Sequence, residues 1–199
     1  MPQPCQLIHT SASPFARKVC IAAQEAGVAL ELLSVRPNPV AAPADIADAN
    51  PLGKVPVLRT PDGTVFYDSA VICHRIAGQT ALYPSGDAGW RALRREALAD
   101  GVMDAAVLIH YENTLRPESL RWQAWLDGQM DKILRSLKVM EDDIQSFSAP
   151  DIGDIATGCA LGYLDFRVPY LDWRTPHPAL AAYAELLFAR GAFRDTVPA

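Results

Sequence analysis

The sequence predicts an α/β module of about 80 residues followed by an all-helical module. Three observations carry that prediction. The first stretch alternates short apolar runs with segments whose apolar residues recur at helical spacing. Strand signals stop after the loop Tyr83-Pro84-Ser85-Gly86. From there on, long helical periodicities fill the chain.

Gln6 to Thr10 reads as a first strand. Phe15, Val19, Ala22, Ala23 and Ala26 then fall on one face of a helix, and Gly27 stands where a helix-terminating glycine belongs. Leu30, Leu32, Leu33 and Val35 mark a second strand. The proline-rich RPNPVAAP connects it to a short helical piece ending near Ala49. KVPVL and TVFY flank the turn residues Pro61-Asp62-Gly63 as a hairpin, and SAVICHRIA follows as a helix ending near Gly78. Beyond the boundary, helices are expected over 88–116, 118–147 and 178–190, with another opening at Asp151. There Asp154 stands three residues after Asp151, the spacing of a capping box. The expected modules are residues 1–79 and 88–199. Trp122, Trp125, Trp173 and Tyr170 read as packing groups, and Glu141-Asp142-Asp143 as a solvated helix face.

Composition narrows the function. A net charge of −5 and the lack of a basic stripe argue against a nucleic-acid partner. No run of 18 apolar residues argues for a membrane span, and the opening residues do not read as a secretory signal. Cys5, Cys20, Cys73 and Cys159 are scattered without a CxxC pair, as reduced thiols of a cytoplasmic protein are. His9, His74, His110 and His177 form no ligand-spaced cluster with them, so no metal is expected.

Three short stretches carry candidate chemistry. In TSASPFARKV, Ser13 before Pro14 is a good helix cap. Because that helix follows the first strand of an α/β unit, its positive end also faces the side where such folds bind ligands. A Ser13 hydroxyl there can donate to a bound anion, a thiolate included. In NPLGKVPVL, Pro56 inside a strand pattern reads either as a tolerated edge position or as a bend with a cis Val55–Pro56 bond. The second reading leaves the Val55 main chain open to an extended peptide. In FYDSAVI, Asp68 and Ser69 are capping residues, or else Ser69 and the helix end bind a carboxylate while Asp68 pairs with an ammonium group.

Together, SPFARKV, NPLGKVPVL, FYDSAVI, ALADGVMDA and DIGDI resemble the glutathione transferase superfamily along essentially the whole chain, and most closely its bacterial serine-type and tau-like members. The resemblance implies a thioredoxin-like N-terminal domain, a helical C-terminal domain and glutathione as co-substrate. It implies Ser13 at the glutathione sulfur, with Ser11 as the rival and Thr10 a weaker one. It implies Val55 with cis Pro56 at the cysteinyl unit, Ser69 at the γ-glutamyl carboxylate, Asp68 near its ammonium group and Lys54 near the glycyl carboxylate. Many relatives have Glu where this chain has Asp68. Met103, Val107, His110 and Tyr111 lie along one side of the first long helix; most read as core, and His110 and Tyr111 as groups that line a pocket for a small hydrophobic electrophile. A homodimer through segments 69–78 and 88–110 is also implied. The implied activity is conjugation of the glutathione thiolate, with peroxide reduction as a related one. The alternative is a non-catalytic binding or regulatory protein of the same fold. A zeta-like isomerase is a third reading, against which SASPF lacks the Ser-Ser-Cys arrangement.

Overall fold

A computed structural model describes residues 4–144 and 149–199, which form two compact units. The first contains the described residues up to Ser85 together with Gly191–Ala199; the second is Gly86–Arg190.

The first unit is thioredoxin-like. Its elements are β1 (Cys5–His9), α1 (Pro14–Glu25), β2 (Leu30–Ser34), α2 (Ala44–Ala47), β3 (Val57–Arg59), β4 (Val65–Phe66) and α3 (Ser69–Ala77). The sheet order is β2-β1-β3-β4, with β1 parallel to β2 and antiparallel to β3, and β3 antiparallel to β4. Leu7, Val57 and Leu58 are fully buried in it, and Val19, Ile21, Ala22 and Ala23 bury the apolar face of α1. The sequence places these elements for local reasons. Ser13 caps α1, its Oγ accepting the Ala16 N–H at 3.2 Å, and Pro14 opens the helix with no N–H to satisfy. At the other end Gly27 adopts φ +68°, which lets its N–H reach the Gln24 carbonyl and the Val28 N–H reach Ala23.

The last residues depart from expectation. Residues 191–199 do not belong to the helical module: α8 (Gly191–Arg194) and the segment after it return to the first unit. Arg17 explains why. Its Nη2 donates to the Phe193 carbonyl at 3.1 Å, its Nε to Thr196 Oγ1 at 3.4 Å, and its guanidinium lies 5.5 Å from the Phe193 ring centre. Ser11 adds a hydrogen bond to the Ala199 main-chain oxygen at 3.0 Å.

The second unit is all helical: α4 (Gly86–Thr114), a 3-10 turn at Glu118–Leu120, α5 (Gln123–Asp142), α6 (Ile152–Arg167) and α7 (Pro178–Phe188). The helix expected over 118–147 therefore begins only at Gln123, where Glu112 accepts the Trp122 N–H at 3.0 Å and turns the chain. Residues 145–147 of that expectation, Phe147 among them, lie outside the described residues. α6 is buried on every side through its first three turns, as the central helix of a bundle must be. Its capping box is complete. The Asp151 carboxylate accepts from the Asp154 N–H at 3.1 Å, and Asp154 accepts from the Asp151 N–H at 2.8 Å.

Two expectations fail in this unit. Of the four aromatic packing groups, only Trp173 is core; Trp122, Trp125 and Tyr170 are exposed. The Trp173 indole is fixed by the Asp165 carboxylate at 2.8 Å, which Arg174 also grips through both nitrogens at 2.7 Å. Nor is Glu141-Asp142-Asp143 a plain solvated face. Glu141 accepts from the Ala179 and Leu180 N–H groups and so caps α7 from another helix, and Asp143 pairs with Arg94 at 2.7 Å.

Close packing of α4 on α6 rests on Gly153. A Cβ there would stand 2.7 Å from the Ala92 carbonyl oxygen and 2.8 Å from the Arg95 Cβ. Gly153→Ala is expected to cost about 1–3 kcal/mol of stability, read as an earlier midpoint in urea unfolding.

Candidate active site

The sheet register gathers the predicted site of the first unit at one edge. Ile8 pairs with Val57 and Leu58 with Phe66, so the end of β1, the start of β3 and the end of β4 lie side by side. Ser13, Val55-Pro56 and Asp68-Ser69 are the residues that continue from those three strand ends. The fold therefore brings together three stretches that are separate in sequence.

Each carries free hydrogen-bonding capacity. Ser13 uses an oxygen lone pair to cap α1, which leaves its hydroxyl hydrogen to donate elsewhere. Ser11 differs, because its hydroxyl hydrogen goes to Ala199. The Val55–Pro56 bond is cis, and Val55 precedes the first ladder residue of β3. Among the described residues none hydrogen-bonds the Val55 N–H or C=O. A donor and an acceptor on one half-buried residue match an incoming peptide unit. Lys54 is exposed beside it, its carbonyl held by the Asn50 side chain at 3.0 Å.

At α3, Asp68 is the cap, its Oδ1 accepting from Ala70 and Val71. That leaves Oδ2 free for a cation. Ser69 is buried at the first helical position, and among the described residues nothing pairs with its N–H or hydroxyl. Two donors at a helix N-terminus form an anion site of carboxylate size.

Nearby, burial lowers the His9 pKa below 6.5, so the ring at the end of β1 is neutral and 3.4 Å from the Ser34 hydroxyl. Burial also pushes the Cys20 thiol up to about 11, which removes it as a nucleophile. Among the described residues no group of three or more His, Cys, Asp or Glu side chains is placed to hold a metal ion, and no helix is long and apolar enough to cross a membrane.

These features fit what similar proteins show. Residues 12–79 match the model of the glutathione S-transferase N-terminal domain, and residues 123–186 match that of the C-terminal domain. The GST-like protein YibF of Escherichia coli K12, itself uncharacterised, is 36% identical over 97% of this chain and 98% of its own. The chain belongs to the glutathione transferase superfamily. Among solved transferases, a family member from Pseudomonas fluorescens Pf-5 with bound glutathione is 44% identical at a TM-score of 0.93, covering 98% of this chain and 99% of that one. A Pf-5 family member has also been solved with S-(propanoic acid)-glutathione, at 43% identity, a TM-score of 0.88 and coverage of 98% and 100%. The transferase of Methylobacillus flagellatus KT, solved with glutathione, is 38% identical at a TM-score of 0.90, with coverage of 98% and 100%.

In the second unit of this transferase-family chain, His110 and Tyr111 are half-buried near the end of α4, their rings 5.8 Å apart. Burial, and then the charge of Arg167, hold the His110 pKa below 6.5. Burial pushes the Tyr111 hydroxyl up, against the pull of Arg167. The sequence reading missed Arg167. It is the last residue of α6, and a lone arginine at a helix end reads as ordinary C-terminal charge.

Proposed function

We propose that this protein is a glutathione transferase in which Ser13 holds the glutathione thiolate. The observation that carries the proposal is the unpaired Val55 main chain at the same sheet edge as the Ser13 hydroxyl and the free donors of Ser69. Glutathione is an extended tripeptide with an anionic and a cationic end. The Val55 N–H and C=O would pair with its cysteinyl unit. Ser69 and the α3 terminus would take the γ-glutamyl carboxylate, Asp68 the ammonium group and Lys54 the glycyl carboxylate.

That placement points the cysteinyl sulfur toward the α1 terminus. A hydroxyl donor and a positive helix end stabilise S⁻ over S–H, and each unit by which the thiol pKa falls corresponds to about 1.36 kcal/mol. The thiol proton leaves to solvent. The thiolate then attacks an electrophilic carbon, an S–C bond forms, and a leaving group departs with its electron pair. The enzyme's share is thiolate stabilisation and the holding of two reactants together. His110 and Tyr111 would line the acceptor pocket, and glutathione-dependent peroxide reduction needs only the same thiolate.

The reading extends to a bacterial serine-type enzyme that detoxifies electrophiles as a cytoplasmic homodimer. The bacterial relatives solved with glutathione support glutathione as the co-substrate. The exposed apolar Val71, Trp90 and Leu93, in segments 69–78 and 88–110, support the dimer. The test is conjugation of glutathione to a chromogenic aryl halide. Turnover above the uncatalysed rate, saturable in glutathione, is expected. Glutathione binding without any turnover, with several acceptor classes, would leave a binding protein instead.

A further inference from the structure

We infer that Arg167 makes the second unit selective for acceptors that carry a carboxylate. This rests on the transferase reading and names the substrate class of its acceptor pocket.

Four other arginines of this unit are matched with acids. Arg94 pairs with Asp143, Arg95 with Asp151 and Asp154, Arg116 with Glu112 and Arg174 with Asp165. Arg167 is not: among the described residues no carboxylate pairs with it, and its Nε is buried without a hydrogen-bond partner. Its guanidinium lies 4.0 Å from the Phe166 ring centre, which holds the plane in place but supplies no counter-charge. A buried, unpaired guanidinium N–H is costly to keep and is seldom left without a partner.

The surroundings suit a small anion. Tyr163 sits one turn earlier on α6, buried, with its hydroxyl facing the Arg167 guanidinium and its ring 6.3 Å from Phe166. Tyr111 and His110 feel the same charge from α4. Burial keeps both phenols protonated, so each can donate, and it keeps His110 neutral. The cluster thus presents one positive fork, two O–H donors and an aromatic wall. A planar carboxylate on a short carbon chain answers all of these, because it takes the guanidinium fork in two parallel hydrogen bonds. Acceptors of this kind include 3-halo-propanoates and α,β-unsaturated acids. With 3-bromopropanoate the glutathione thiolate forms an S–C bond at C3, bromide leaves with the bonding pair, and the thiol proton goes to solvent.

The test compares 3-bromopropanoate with its neutral isostere 3-bromopropanamide, each rate divided by its uncatalysed rate with glutathione. The wild type is expected to favour the acid in kcat/KM by about 10- to 100-fold. Arg167→Gln is expected to abolish that preference, and Arg167→Lys to keep part of it, because a point charge remains without the fork. A wild type that does not prefer the acid overturns the inference even if neither variant folds. So does a preference that survives Arg167→Gln. Glutathione binding, followed by calorimetry in the same samples, separates the two levels. Normal binding without acid preference sinks this inference alone, whereas no binding sinks the transferase reading and this inference with it.

Discussion

Ser13→Ala is expected to lower kcat/KM for glutathione conjugation roughly 10²-fold, the loss seen when one donor to a developing or bound anion is removed. The change should fall on chemistry more than on affinity, because the contacts proposed for Val55, Ser69 and Asp68 would remain. Ser13 is also the cap of α1, so the same substitution removes the acceptor of the Ala16 N–H and is expected to cost about 1 kcal/mol of stability. Ser13→Asn separates the two roles, since Asn caps a helix well but is too large to reproduce the hydroxyl's geometry. Ser11→Ala provides the contrast. Its hydroxyl is committed to Ala199, so loss of that hydrogen bond should leave the rate within a few-fold of wild type. Steady-state kinetics of the three variants, with thermal unfolding alongside, checks the set.

The largest stability effect is expected at Asp154. Its carboxylate accepts from the Asp151 N–H at 2.8 Å and from the Tyr183 hydroxyl, and it faces Arg95 at 3.3 Å. Burial pushes its pKa up, and the Tyr183 hydrogen bond opposes that rise. Asp154→Ala would remove the acceptor of the Tyr183 hydroxyl, uncap α6 and leave Arg95 with Asp151 as its remaining acid. Removing one member of a buried, hydrogen-bonded charge network costs about 3–5 kcal/mol. For a chain of this size that lowers Tm by roughly 10 °C. Asp154→Asn keeps an acceptor for Tyr183 and should fall between the two. Calorimetric unfolding of both variants reads the result.

Much of this was legible in the sequence, for identifiable reasons. Caps and terminators are local chemistry, so Ser13-Pro14, Gly27, Asp68 and the Asp151–Asp154 box could be read from a few residues each. The α/β order was equally readable, since apolar spacing changes period where strand gives way to helix. What could not be read depends on partners far along the chain. Arg17 meets Phe193 across 176 residues, and nothing around either announces the pairing. Glu141 looks like one member of an acidic run until α7 is placed above it. Trp122 and Tyr170 read as packing groups in the sequence, yet both stand in solvent beside turns. The site shows the same division. Its residue types were visible, whereas the freedom of the Val55 main chain and the commitment of the Ser11 hydroxyl emerge only from the register and the fold.

The central claim is that Ser13 stabilises a bound glutathione thiolate, and the direct measurement is the pKa of that thiol by ultraviolet thiolate absorbance. Glutathione saturated with the wild-type protein is expected to ionise at least one unit below a free thiol's value of about 8.5. In Ser13→Ala it should return most of the way, with glutathione still bound. A bound thiol whose pKa is not lowered in the wild type, or whose lowered value survives Ser13→Ala, would contradict the account.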